Sequence, residues 1–377
     1  MENASDGTWL KARDADDVAA IVAGAVRALE AVGGGSKRAV GRPVAADVLD
    51  LAALAGVVTY EPAELVLTAH AATPLAAIET ELAASGQRLA FEPPDFGPLL
   101  GSARPQTLGG VLAANLAGSR RVAAGAARDH FLGCRAVTGR GEPFKAGGRV
   151  VKNVTGYDLP KLLAGSWGTL AVLTEVTIRV VPSPELDRTL VVASASAAES
   201  VRLQSAALGS AHDVSAAGFN PERGTLLRLE GFAASVAARA TALCDELRCT
   251  PNEVLDGAAS RRCWHELASA TRLAASPIVW RISVPPADAP AVVERLRPER
   301  YLLDWGGGLI YAAFSTADGV RVRSALTSGH ATLLKAPAAV RAAQSVFQPQ
   351  PPAVAAAAAR VRDAFDPRGI LNPGRMS

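Results

Sequence analysis

The sequence predicts an α+β protein of two or three packed units, and three observations carry that expectation. The chain has 377 residues, and a domain takes roughly 100–200. Hydrophobic residues make up 49% and charged residues 20%, enough to bury cores and too apolar for disorder. Helix-period and strand-period patterns follow one another, with an alternating strand that stops at Pro182 and Pro184 ahead of a mixed region.

Taken in order, residues 14–31 place Val18, Ile21, Val22, Ala25, Val26 and Leu29 at helical spacing, capped by Asp14 or Asp16 and ended by Gly33. A glycine loop, Gly33-Gly34-Gly35-Ser36-Lys37, follows, then Gly41-Arg42-Pro43. A short apolar stretch at 56–60 and a strand-like run at 64–71 precede Thr73-Pro74. That pair opens a helix with Leu75, Ile78 and Leu82, which Gly86 closes. Between 92 and 118 the composition shifts to Pro, Gly and Asn, the mark of constrained loops. Behind Gly147-Gly148 come residues 150–155, a short helix capped by Asp158 with Pro160 in its first turn, and the turn Gly165-Ser166-Trp167-Gly168.

Residues 170–181 read as a half-buried strand, because Val176, Ile178 and Val180 alternate with Glu175, Thr177 and Arg179. A domain boundary falls at the prolines. Residues 185–348 mix strand-like runs at 225–230 and 278–284 with helical ones, and read as α+β with an antiparallel sheet. An Ala-rich helix at 353–365, with a seam of Val354, Val361 and Phe365, ends at Asp366-Pro367 before the tail to Ser377. No internal repeat is visible.

Several function classes drop out. Lys and Arg total 39 against 36 Asp and Glu, a net charge of +3, too small for a nucleic-acid footprint. Aromatic residues are 5%, too few for single-strand stacking platforms. Mean hydropathy is +0.18, yet no apolar run reaches the ~18 residues of a membrane span. The charged N-terminal stretch has no apolar core of a secretory signal, so a cytoplasmic location is expected. Cys134, Cys244, Cys249 and Cys263 form no C-x-x-C pair and read as thiols in a reducing compartment. No metal site and no iron–sulfur cluster is expected within this chain.

Three stretches can carry chemistry. The Gly33–Lys37 loop can present successive amides to a phosphate. It is neither a P-loop, which needs G-x-x-x-x-G-K-[ST], nor a dinucleotide fingerprint, since Arg38 stands where the third glycine belongs. Small residues from Thr107 to Gly118 allow close approach of a ligand to backbone, with Asn115 as a side-chain donor. The third stretch is Lys152-Asn153-Val154-Thr155-Gly156-Tyr157-Asp158-Leu159, continuing through Leu163 to Leu170.

This third stretch, KNVTGYDLPKLLAGSWGTLAVLTEVTIRVVP, resembles the last motif of the PCMH-type FAD-binding domain shared by vanillyl-alcohol-oxidase-type flavoproteins. GGGSK, TLGGVLAANLAGSRR and ARDHFLG fall in that family's order. More narrowly, the chain is similar to the family of FAD-binding E subunits of bacterial glycolate oxidase, a likeness shared by Leu303-Asp304-Trp305-Gly306-Gly307, by Ser328-Gly329-His330-Ala331-Thr332 and by FDPRGILNPGRM. The resemblance implies a two-lobed FAD domain over residues 1–183 (lobes of about 1–60 and 61–183). A cap domain would span 184–348, and a helix and tail at 349–377 would return to the flavin.

Carried over by position, Gly33, Gly34, Gly35 and Ser36 would hold the FAD pyrophosphate. Gly109, Gly110, Asn115 and Gly118 would approach the phosphates and ribityl chain. Gly165, Ser166, Gly168 and Thr169, with the backbone of Val172, would line the adenine-side turn. FAD is expected to be non-covalent, since no histidine stands in the glycine loop.

The chain departs from catalytic relatives in two ways. Trp167 and Ala171 stand where those relatives carry an acidic residue and a glycine, and the His-rich Gly-Asp-Gly-Asn motif of their cap is absent. Hydroxy-acid oxidation needs a base for the hydroxyl proton and a cation for the carboxylate. Of five histidines, His70 reads as structural, His212 and His265 as solvated residues in helical surroundings, His130 as a pocket candidate, and His330 as the leading base. Arg281 is the candidate cation, and Asn372 a pocket residue on the returning tail.

Two functions follow from the resemblance. One is the FAD subunit of a glycolate oxidase complex, working with a related catalytic flavin subunit and an iron–sulfur subunit, at most peripheral to the inner face of the membrane. The other is an assembly subunit that keeps the flavin fold without chemistry.

Overall fold

A computed structural model describes residues 7–149 and 156–376; the stretch 150–155, with Lys152 to Thr155 of the third motif, lies outside the described residues. The first lobe is small: β1 (Trp9–Lys11), α1 (Ala15–Gly24), β2 (Leu29–Val32) and β3 (Asp47–Asp50), in a parallel sheet of order β1-β3-β2. Asp14 caps α1 by accepting the Asp17 N–H at 2.8 Å, and Val18 and Val22 supply its buried stripe. The helix is shorter than its periodicity predicts. The chain turns extended at Ala25, Val26 is exposed, and Leu29 opens β2 instead of closing a helix at Gly33. Parallel pairing with β3 overrides a local pattern that happens to fit both states.

The second lobe contains β4 (Val57–Glu61), β5 (Val66–His70), α2 (Leu75–Ala84), β6 (Gln87–Arg88), α3 (Gly97–Leu100), α4 (Leu108–Ala113) and α5 (Arg121–Ala124). Beyond these come β7 (Phe131–Thr138), β8 (Pro143–Gly147), α6 (Leu159–Leu163), β9 (Ala171–Arg179) and β10 (Val181–Pro182). Its antiparallel sheet runs β4-β5-β9-β7-β8, while β6 pairs with β10. β4 pairs with β5, so Val57–Glu61 belongs to the sheet of the second lobe. In β9, Val176 and Ile178 are fully buried as the alternation predicts. Thr177 on the opposite face is buried too, its hydroxyl 2.9 Å from that of Thr68, so the strand is covered on both sides.

The third sheet holds eight strands. They are β11 (Leu186–Val192), β12 (Val214–Asn220), β13 (Gly224–Gly231), β14 (Glu253–Asp256), β15 (Ile278–Ser283), β16 (Arg300–Asp304), β17 (Leu309–Phe314) and β18 (His330–Lys335). Interleaved are α7 (Ala197–Gly209), α8 (Ala233–Leu247), α9 (Gly257–Ala268), α10 (Ala289–Leu296) and α11 (Gly319–Ser324), followed by α12 (Ala338–Ala343) and α13 (Pro352–Phe365). The sheet order β14-β11-β13-β12-β16-β17-β15-β18 resolves into two βαββαβ units, each ordered 4-1-3-2 and joined edge to edge where Phe219 faces Leu303. The repeat that the sequence does not display is therefore present in the topology. One face packs Trp280, Ile282 and Ile310 under α10 and Leu227 and Leu229 under α8. Val279, Leu309, Tyr311 and Ala313 on the other face join the core of the second lobe. In α13, Phe365 packs edge-on against Phe144 at 6.0 Å, but Val354 is exposed and outside the expected seam.

A buried ion network pins this sheet to the second lobe. Arg228, 1% exposed, donates to Asp187 within the sheet and to Glu92 of the second lobe at 2.6 Å, while Arg88 and Arg120 meet Glu230 at 2.5 and 2.9 Å. Arg228→Met would leave buried carboxylates without their cation, so a loss of about 3–5 kcal/mol in urea unfolding is expected. Against the cost of burial, Arg228, Arg120 and Arg88 hold the Glu230 carboxyl down to about 2 from 4.5. Its contribution is therefore complete above the unfolded value and drains away as pH falls towards 2.

Candidate functional site

Between the two lobes lies an open cleft of about 800 Å³. β2 delivers Glu30, Ala31 and Val32 to one wall and runs straight into the glycine loop. Opposite stand the start of α4, the beginning of β9 and the turn before it. Glycine is required here for two reasons. Gly35 has a φ of +82°, and a Cβ on Gly34 would sit 1.8 Å from the Pro105 carbonyl oxygen. Val32, Leu51, Ala71, Ala72, Ala171 and Val172 make an apolar strip along the cleft.

Of the residues singled out from sequence, Gly33, Gly34, Gly35, Ser36, Gly109, Gly110, Gly168, Val172 and Asn372 line this cleft. The others brace it from behind. Asn115, at φ +48°, accepts the Arg128 N–H at 3.0 Å, and Gly165 donates its N–H to Leu112 O at 3.3 Å. The Ser166 carbonyl accepts the Thr169 hydroxyl at 2.7 Å. Gly118 is packed against the Glu92 carbonyl, and its own carbonyl accepts from the Trp305 indole at 3.0 Å. Asn372 has both ends of its amide committed: Oδ1 accepts from Ala31 N at 3.2 Å and Nδ2 donates to Trp167 O at 2.8 Å. The tail thus clamps β2 to the turn, and Asn372, which lines the cleft, acts there as a positioning residue.

Four charged cleft side chains, Glu30, Lys37, Arg38 and Arg375, were given no role by sequence reasoning. Glu30 is buried between Arg38, at 2.5 Å, and Arg375 of the tail. Lys37 lines the cleft beside Gly110, its Nζ 3.2 Å from the Ser36 hydroxyl, and among the described residues it forms no salt bridge. Burial lowers its pKa to about 8. An ammonium with Asp95 as a nearby charge but no salt bridge among the described residues, next to a row of glycine amides and an apolar strip, is chemistry that fits a pyrophosphate joined to flat rings. The signal for Lys37 was its place at the end of the glycine loop.

His330 and Arg281 are not in this cleft. They come together in the seam between the second lobe and the eight-stranded sheet, around Trp305. The Arg281 and Arg121 guanidinium carbons each lie 4.9 Å from the Trp305 ring, and neither arginine forms a salt bridge among the described residues. His330 sits at the start of β18, opposite Ser283; burial and the charges of Arg281 and Arg121 lower its pKa below 6.5. Beneath them Asp304, wholly buried, accepts from the Ser119 hydroxyl at 2.7 Å and the Trp305 N–H at 2.8 Å, and burial pushes its carboxyl up to about 6.

The remaining histidines lie elsewhere, His70 at the end of β5. His130 is buried with Nε2 at 2.8 Å from Ala124 O, outside both sites. His212 lies in a turn, not a helix, 2.9 Å from Glu246, and His265 is exposed on α9. Among the described residues no group of three could hold a metal, and no helix is long and apolar enough to cross a membrane.

Fold and cleft define an FAD-dependent oxidoreductase of the PCMH type, and the comparisons agree. A family model described as an FAD binding domain matches residues 9–147. The fold is shared with xylooligosaccharide oxidase from Myceliophthora thermophila C1 (TM-score 0.67, 16% identity, 96% of this chain and 90% of that one). It is shared also with an alkyldihydroxyacetonephosphate synthase (TM-score 0.66, 16% identity, 97% and 76%). Glycolate oxidase subunit GlcE of Escherichia coli (strain K12) is 35% identical over 357 residues, 91% of each chain, and the present chain belongs to that subunit's family. Glycolate oxidase subunit GlcD of Bacillus subtilis (strain 168) is 39% identical over 100 residues, 26% of this chain and 20% of that one.

With the family in hand, Lys37 becomes testable as an FAD contact. Lys37→Gln is expected to weaken FAD binding by roughly 10–100-fold, the scale of one charge-assisted contact, read by quenching of flavin fluorescence on titration. In the native chain affinity should fall as pH rises through the lysine's value near 8, and Lys37→Arg should shift that loss to higher pH. Equal affinities in all three proteins would remove Lys37 from the site.

Proposed function

We propose that this chain is the FAD-binding subunit of a glycolate oxidase complex, oxidising glycolate to glyoxylate together with a related flavin subunit and an iron–sulfur subunit. The observation that carries the chemical part is the Trp305 seam: two guanidiniums with no salt bridge among the described residues, beside a histidine whose pKa is lowered by burial and by those two charges. Arg121 and Arg281 suit a small carboxylate, and the His330 imidazole is the group placed to take the hydroxyl proton. Bound FAD supplies a two-electron acceptor. The absence of histidine and cysteine from the described lining of the cleft supports non-covalent FAD. The likeness to the two glycolate oxidase subunits supports the partners and the substrate.

The test is glycolate-dependent dye reduction by the purified yellow chain alone and with its partner subunits, followed across pH. A catalytic seam gives a rate that falls as pH drops through the His330 value, somewhere below 6.5, and His330→Ala should cost about a hundredfold, within the range of a lost general base. Full complex activity in His330→Ala, with assembly intact, would instead assign the chain an assembly role.

A further inference from the structure

Helix α8 ends in a Schellman turn. Arg248 adopts the left-handed conformation (φ 51°, ψ 44°), its N–H bonds to Asp245 O at 3.2 Å, and the Cys249 N–H bonds to Cys244 O at 3.0 Å. This pairing brings the side chains of the two outer residues together, ordinarily as a hydrophobic contact. Here both are cysteines, close enough that each thiol alters the ionisation of the other. Both are half-buried and unbridged, whereas Cys134 and Cys263 are buried. The 3.0 Å hydrogen bond limits the Cα–Cα separation to about 7 Å. The juxtaposition of these two positions in a Schellman turn suits the roughly 4.4–6.8 Å that a disulfide spans.

We propose that Cys244 and Cys249 form a redox-active dithiol that closes to an intrachain disulfide when a small-molecule disulfide such as oxidised glutathione reaches the end of α8. The Cys249 thiolate attacks one sulfur of the oxidant, forming a mixed disulfide and expelling one thiolate. The Cys244 thiolate then displaces the second, so the two cysteines lose two protons and two electrons and the oxidant becomes two thiols. Burial raises both thiols, Cys244 to about 11 with Cys249 adding to the rise, whereas at Cys249 the neighbouring Cys244 offsets part of the rise; Cys249 is therefore the attacking group. The helix end needs no rearrangement, and the bridge fixes a turn whose backbone hydrogen bonds already exist. The site is separate from the cleft and the seam, and its chemistry does not depend on the function proposed above.

The experiment treats the full chain with oxidised glutathione, blocks residual thiols by alkylation, and maps the products. Arg248 lies between the two cysteines, so trypsin separates residues 240–248 from 249–261 unless a bridge joins them. The expected product is that joined pair, lighter by about 2 Da than the sum of its reduced peptides, with Cys134 and Cys263 still alkylated after denaturation. Cys244→Ser should stop the reaction at the mixed disulfide, raising the glutathione adduct on Cys249 at least tenfold over the native chain. Cys249→Ser should slow the first step. A native chain that accumulates stable adducts on either cysteine, or that remains fully alkylated at both after exposure, overturns the proposal. So does a bridge that includes Cys134 or Cys263.

Discussion

Arg375→Ala is expected to purify without flavin and to melt well below the native protein. Arg375 sits on the tail, 5% exposed, yet reaches the floor of the cleft. One arm donates to Val40 O at 2.8 Å and the other to Glu30, whose second oxygen is held by Arg38. The Arg375 carbonyl in turn accepts the Arg42 N–H at 3.1 Å. Removing the guanidinium leaves a buried carboxylate with half its partners, a change that typically costs about 3–5 kcal/mol. It also frees the strand that feeds the glycine loop. Loss of visible flavin absorbance together with a calorimetric shift is the expected pair of results. Arg375→Lys should rescue only part of either, since one ammonium cannot serve a carbonyl and a carboxylate in the fork's geometry. A double variant, Glu30→Gln with Arg375→Met, separates the causes. It should recover part of the stability, because no buried carboxylate is orphaned although Arg38 loses its ion-pair partner, while still binding FAD poorly if the tail shapes the cleft. An Arg375→Ala chain that keeps both flavin and melting temperature would show the tail to be a passive cover.

How far the sequence spoke can be judged residue by residue. The glycine loop, the Asp14 and Asp158 caps and the buried face of β9 are short-range features, and local chemistry is enough to read them. The same locality explains the error at α1. Val26 and Leu29 continue the helical period, and only pairing of β2 with β3 makes the chain extend there. Asn115, Gly165, Ser166 and Thr169 belong to the right motifs but shape the turn behind the cleft. A motif preserves such positions for backbone geometry as readily as for contact. Glu30 and Arg375 were invisible as a pair because 345 residues separate them. The two βαββαβ units were hidden for a related reason. A fold repeat needs only matching periodicity, and β12 (VSAAGFN) and β16 (RYLLD) share no letters that would reveal it.

The Trp305 seam yields the second large effect. The eight-stranded sheet carries two arginines towards the second lobe, and they differ in what surrounds them. Arg228 is saturated by Asp187 and Glu92, so the protein supplies its own counter-charges. Arg281 has Arg121 for a neighbour across Trp305 and no carboxylate in a salt bridge among the described residues. Two like charges held 4.9 Å from one ring repel each other unless an anion joins them. Arg121→Gln or Arg281→Gln should therefore raise the KM for glycolate in the assembled complex by roughly 30-fold or more, and the double variant should lose activity by about a thousandfold. That is the scale of truncating partners of a desolvated charged group, about 2–5 kcal/mol. Flavin content should stay unchanged, because neither side chain lines the cleft. Binding of oxalate, a dicarboxylate that is not turned over, gives a readout free of turnover: it should quench tryptophan fluorescence in the native chain and in Arg228→Lys, and lose that effect in the double variant. Glycolate oxidation at native KM by a double variant that still holds its flavin would place the carboxylate elsewhere, and with it the substrate.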